Sequence, residues 1–85
     1  MKLPVIKQLT QFVEENDVDY LTETVDVLES ITEVASLKDE ELDVIGELIS
    51  NIYGAIEVDK MIKDGKDKKT AINDFMKRVL GSIDK

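Results

Sequence analysis

Residues 37–64 read LKDEELDVIGELISNIYGAIEVDKMIKD, and this stretch has the longest helical pattern in the chain. Its apolar residues recur at spacings of three and four, which is the period of an α-helix. They cover roughly half of the helix circumference, which is more than a single neighbouring helix covers. The stretch therefore predicts one long central helix that several other helices contact and that stops at Gly65.

The rest of the chain has the same helical period, and strand-like alternation is nearly absent. Pro4 suits a first helical turn, Asn16 suits a helix end, and Ser36 is placed to cap the long helix. The four predicted helices span residues 4–15, 18–35, 37–64 and 68–83. We expect an all-α fold in a single domain, residues 1–85, arranged as a compact four-helix bundle or an orthogonal helical array with a long central third helix.

The composition limits the chemistry available to the chain. Its 85 residues include no cysteine and no histidine, which removes disulfides, thiol chemistry and the commonest metal ligand. We therefore expect no enzymatic activity, no cofactor and no metal. Small domains often gain stability from disulfides, metals or self-association, and self-association is the route that remains.

Charge is unevenly distributed along the chain. Nineteen acids and eleven bases give a net charge of −8; residues 1–59 carry −12, and residues 60–85 carry +4. The acidic part repels phosphates, so nucleic acid is not an expected partner. The apolar runs are only a few residues long, against about 20 for a membrane span, and there is no signal-peptide pattern. We expect a cytoplasmic protein that does not enter membranes.

A row of small residues at spacing four, Gly46, Ser50 and Gly54, lies along the predicted third helix beside Asn51. Each glycine inside a helix costs about 1 kcal/mol relative to alanine, so two of them require a reason. Small residues permit another backbone to approach closely. The approaching helix can come from the same chain or from a second copy in a dimer, or the row can line a ligand or partner groove. These four residues are the candidate interaction site.

Two acidic residues lie where the pattern of this helix predicts apolar ones. Glu41 and Asp59 fall within its apolar arc, one near each end. Either the helix ends project beyond the core, or one of these acids pairs with a base such as Arg78. Such a pair is structural rather than catalytic.

Three functions of different kinds fit the sequence. The leading hypothesis is a non-enzymatic interaction protein that self-associates. The second is an acidic inhibitor, similar in size and charge to immunity proteins, that binds a basic partner. The third is an acyl-carrier-like protein modified at Ser36, although Ala35 stands where that motif has an aspartate.

The stretch LKDEELDVIGELISNIYGAIEVDKMIKDG, followed by AINDFMKRVLGSID and preceded by the N-terminal MKLPVIKQL, resembles a small uncharacterised family of acidic helical proteins from Bacteroidetes-type bacteria. The resemblance covers nearly the whole chain and carries over no functional residue, because the family has no assigned activity. Members of that family are encoded near thioredoxin-like and peroxiredoxin proteins. The resemblance thus implies thioredoxin-system proteins as partners, which a chain without cysteine can assist only by binding.

Overall fold

The protein is a four-helix array around one long helix. A computed structural model describes the backbone of residues 2–83 and the side chains of residues 2–79. Its helices are α1 (Leu3–Glu15), α2 (Asp19–Ile31), α3 (Asp39–Lys63) and α4 (Lys68–Ile83), and residues 2–83 contain no strand. α3 contacts each of the other three helices. The predicted all-α class and the long central third helix are confirmed.

The second helix is shorter than predicted. It ends at Ile31 instead of near residue 35, and residues 32–36 form turns. The hydroxyls of Ser30 and Thr32 donate hydrogen bonds to the carbonyls of Val27 and Glu29, at 2.7 and 2.6 Å. Such side-chain bonds give the backbone an alternative to the helical pattern, and they occur here in the last turn.

The start of α3 also differs from its prediction. The N-cap is Lys38, not Ser36, and the helix begins at Asp39. The Glu41 carboxylate reaches back and accepts a hydrogen bond from the Lys38 backbone N–H at 3.0 Å. Three acids in the first turn, Asp39, Glu40 and Glu41, suit the positive end of the helix dipole. Glu41 therefore serves the helix start, whose cap lies two residues later than predicted.

The end of α3 is set by Gly65, as the sequence predicts. Gly65 has a φ of +114°, a backbone conformation that side chains disfavour. The Lys66 N–H donates to the Met61 carbonyl at 3.1 Å, and the Gly65 N–H donates to the Ile62 carbonyl at 3.0 Å. This pair of bonds is the Schellman motif, which satisfies carbonyls that the helix leaves unpaired.

Two small clusters of buried side chains form the core, and α3 contributes to both. One joins α1, α3 and α4 and contains Ile6, Val58, Ala71, Ile72 and Phe75. The other joins α1, α2 and α3 and contains Val13, Leu21, Val25, Ile52 and Ala55. No single centre collects the apolar residues of all four helices, so α1 and α3, which contribute to both clusters, connect the two halves of the molecule.

The arrangement gives a flat molecule measuring 43 × 35 × 18 Å. The short dimension corresponds to about two helix layers. The radius of gyration is 13.8 Å, against about 12 Å for a compact domain of this length. Over the described residues, no helix has both the length and the hydrophobicity that crossing a bilayer requires. A plate of this thickness covers each helix on only part of its circumference.

Substitution by alanine should change stability in opposite directions at Gly46, inside α3, and at Gly65, just after its end. Gly65→Ala should lower the free energy of unfolding by about 1–2 kcal/mol, because a side chain disfavours the positive φ. Gly46→Ala should raise it by about 0.5–1 kcal/mol, because an added methyl group meets nothing within 4 Å and alanine favours the helix. Urea unfolding of the two variants measures both. A Gly65→Ala variant as stable as the wild type would contradict the role given to the turn.

Candidate interaction surface

The helical hairpin formed by α2 and α3 extends beyond the core. All buried residues of α3 lie between Asn51 and Val58, so its N-terminal half has none. In α2, only Leu21 and Val25 are buried, so its C-terminal half has none. The sequence in both halves is nevertheless rich in valine, leucine and isoleucine. Apolar side chains at this end of the hairpin are therefore left in contact with water.

Eight large apolar residues at and beside this hairpin are exposed, Val34 and Tyr53 among them. Val44 and Val27 are 60% and 59% exposed, Tyr20 is 56%, and Leu48 is 46%. Scattered single apolar residues are normal on a protein surface, whereas several on one side mark an interaction site. We call this surface the apolar face and define it as Phe12, Tyr20, Val27, Ile31, Val44 and Leu48.

The helical phases place these residues on the same side of the hairpin. The Tyr53 hydroxyl donates a 3.4 Å hydrogen bond to Glu29, which fixes one flank of the α2–α3 contact. An α-helix turns by about 100° per residue. On α2, Ile31 therefore points to nearly the opposite side of the helix from Glu29. On α3, Leu48 likewise points away from Tyr53. Ile31 and Leu48 therefore share the opposite flank.

One end of the apolar face reaches α1. The rings of Phe12 and Tyr20 meet edge to face, with centroids 5.7 Å apart. Next to them is an apolar cleft of about 200 Å³ whose floor includes Leu21 and Ile52. α1, α2 and α3 thus all line this cleft, and a cleft between helices is a geometry that receives an amphipathic helix from a partner.

The surroundings of the apolar face are acidic. A wide depression of about 480 Å³ is lined by Leu37, Glu40, Glu41, Val44 and Ile45, so two carboxylates border its apolar residues. Lys38 is the only base between residues 8 and 59. A molecule that covers this face meets apolar side chains in the centre and negative charge at the edge.

The predicted row of small residues is divided by the fold. Gly46 and Ser50 are exposed, and the space beside Gly46 is open. Gly54 and Asn51 are buried within the chain and are therefore not available to a partner. An interaction through the exposed half of the row stays a prediction.

Asn51 has a defined role inside the molecule. It is only 2% exposed, and its amide oxygen accepts a hydrogen bond from the Lys2 backbone N–H at 3.0 Å. Its amide nitrogen donates to the Glu47 carbonyl at 2.8 Å. Lys2 is the N-cap of α1 and has no side-chain cap of its own. Asn51 therefore supplies from α3 a partner for the start of α1.

The ion pairs also differ in part from expectation. Arg78 lies 3.4 Å from Glu57 and stacks over Phe75, rather than pairing with Glu41 or Asp59. Asp59 pairs with Lys63 at 2.9 Å, and this hydrogen bond and negative charge raise the pKa of Lys63 above its usual value. Because the cations of both pairs are exposed to solvent, each pair adds little to stability.

Two remaining expectations concern modification of Ser36 and the binding of a metal ion. Ser36 is exposed in the turn before α3, and its modification stays a prediction. In the described part of the chain, no three acidic side chains converge in a way that holds a metal ion.

The fold and the surface define the class of this protein as a small helical array with an exposed apolar face. The chain belongs to DUF6952, a family of unknown function whose profile matches residues 1–84. This confirms the resemblance to an uncharacterised family. No curated protein and no solved structure matches the chain.

A pair of substitutions distinguishes the apolar face from the core. Leu48→Gln should change the free energy of unfolding by less than about 0.5 kcal/mol, because Leu48 is half exposed. Ile52→Ala, one helical turn further along α3, should cost about 2–5 kcal/mol, because Ile52 is buried. Chemical unfolding at low protein concentration measures both. A Leu48→Gln loss as large as that of Ile52→Ala would show that the face is covered within the monomer.

Proposed function

We propose that this chain is a non-enzymatic protein-interaction protein that self-associates through its apolar face. The observation that carries the proposal is the unpartnered end of the α2–α3 hairpin, where large apolar side chains from two helices lie on one flank. Full burial of each of these six side chains contributes a free energy on the order of 1 kcal/mol to association. The entropic cost of binding is subtracted from this total.

The size of the molecule supports a second copy as the occupant. A standard interface buries about 800 Å² on each partner. The broad side of the plate measures 43 × 35 Å, which is large enough for such a contact. Because the plate is about two helix layers thick, pairing also gives α3 a neighbour on a side that the monomer leaves open. Association therefore supplies the stability that a core of two small clusters lacks.

Self-association is tested by sedimentation velocity over a range of micromolar concentrations. The wild type should shift from monomer to dimer as concentration rises, and Leu48→Gln should weaken association by about tenfold or more, the effect of losing about 1.4 kcal/mol of contact. Tyr53→Gln is the matched control, because Tyr53 is 50% exposed on the opposite flank of the hairpin and should leave association unchanged. A wild type that stays monomeric throughout would overturn the proposal.

The same experiment decides between the apolar face and the small-residue row. Gly46→Ala adds a methyl group at the exposed end of the row without a clash inside the chain. If the apolar face forms the contact, this variant should associate like the wild type. Loss of association in Gly46→Ala, with none in Leu48→Gln, would move the contact to the row.

The acidic border of the apolar face favours a second function, capture of a basic partner by an acidic inhibitor-like protein. Salt separates the two functions. Two copies that meet through this face bring carboxylates together, so added salt should strengthen self-association. Binding of a labelled helical peptide with leucines on one side and lysines on the other should instead weaken as salt rises. Tight peptide capture by a monomer at low salt would favour the inhibitor.

Thioredoxin-system proteins, implied by the family resemblance, stay a prediction that the same titration can test.

A further inference from the structure

A second surface lies between α1 and α4, away from the apolar face. It is an open groove of about 690 Å³, within the size range of ligand sites in proteins. Three lysines border it: Lys7 on α1, and Lys68 and Lys69 on α4. Of the described residues that line it, none is acidic, although 19 of the 85 residues of the chain are acids. The groove is therefore a positive site on a negative protein.

Internal charge pairing accounts for only one of these three lysines. Lys68 pairs with Glu14 at 2.7 Å, which links α4 to α1 at one end of the groove. Lys7 and Lys69 form no ion pair with any described residue of the chain. Lys68 and Lys69 also lie in the first turn of α4, which contains no acid. Positive charge is unfavourable at that end of a helix, so helix stability does not explain their presence.

The remaining lining indicates what the groove binds. Gln8, Gln11 and Asn73 offer side-chain amides, which both donate and accept hydrogen bonds as a peptide backbone requires. Pro4 and the nearly buried Ile72 provide an apolar floor. The described lining contains no aromatic ring for stacking a base and no arginine for bidentate binding of a phosphate.

We propose that the α1–α4 groove binds an acidic polypeptide segment of a partner protein. Carboxylates of the segment pair with Lys7 and Lys69, its backbone bonds to the amides, and one apolar side chain rests on Pro4 and Ile72. This site goes beyond the proposed self-association, because it shares no residue with the apolar face. The chain then joins two partners at once, one through each surface.

The test uses a fluorescent peptide with the sequence of residues 19–34, which contains five acids and no base. Its binding to the full chain is followed by anisotropy at low salt. The double variant Lys7→Glu with Lys69→Glu should weaken binding about tenfold or more, since two attractions become repulsions. The control double variant Lys60→Glu with Lys77→Glu makes the same change in net charge outside the groove and should bind within about twofold of the wild type. Circular dichroism verifies that both variants are folded.

Three further results decide the outcome. A peptide with asparagine and glutamine in place of its acids should bind about tenfold more weakly; equal binding would overturn the proposal. Loss of peptide binding in Leu48→Gln, with none in the groove variant, would place the peptide on the apolar face and overturn it. Displacement of the peptide by inorganic phosphate, but not by chloride of equal ionic strength, would identify a small-anion site instead. Failure of self-association leaves this experiment unaffected, so the two proposals fail separately.

Discussion

Burial of side chains along α3 holds the four helices together. The other three helices each pack against it, and its residues take part in both buried clusters. The covered segment is short, since its buried residues lie only between Asn51 and Val58. The part of α3 N-terminal to that segment has no buried residue. The exposed apolar side chains are thus a direct result of how little of a long helix three short neighbours can cover.

The two ends of the molecule differ in charge and in the exposure of apolar side chains. The hairpin end carries the exposed valines and leucine within an acidic border. The other end, where α1 meets α4, carries lysines beside amides. A surface that is apolar in the centre gains its affinity from burial, whereas a surface of lysines selects partners by charge and speeds their encounter. The two surfaces therefore differ in how salt affects them, which allows each to be studied independently of the other.

Much of the fold follows from the sequence, because helical periodicity and strong stop signals do not depend on tertiary contacts. The long third helix and its end at Gly65 are examples, since a glycine at that position accepts a φ that other residues avoid. The predicted end of α2 was wrong because the apolar period continues through Val34. The helix itself ends at Ile31, where the hydroxyls of Ser30 and Thr32 bond to backbone carbonyls of the last turn. The predicted cap of α3 was wrong because Glu41 reaches back to Lys38, two residues after Ser36.

The candidate site was less predictable from the sequence than the fold. Proximity along one helix groups Asn51 with Gly46 and Ser50, but its role depends on a residue 49 positions away. The apolar face had a visible signal, since the apolar arcs of the second and third helices are wider than one neighbour covers. Deciding which part of each arc stays open requires the positions of α1 and α4, and the pattern of a single helix does not contain them.

The hydrogen bond between Asn51 and Lys2 has a consequence for the order in which the molecule folds. It joins the start of α1 to the middle of α3, so closing it requires a loop that contains all of α2. Contacts between α2 and α3 span far fewer residues and have a lower entropic cost of closure. The α2–α3 and α3–α4 hairpins are thus both expected to form before α1 docks on α3, and α1 to open most readily. Amide exchange should then be faster in α1 than at the centre of α3.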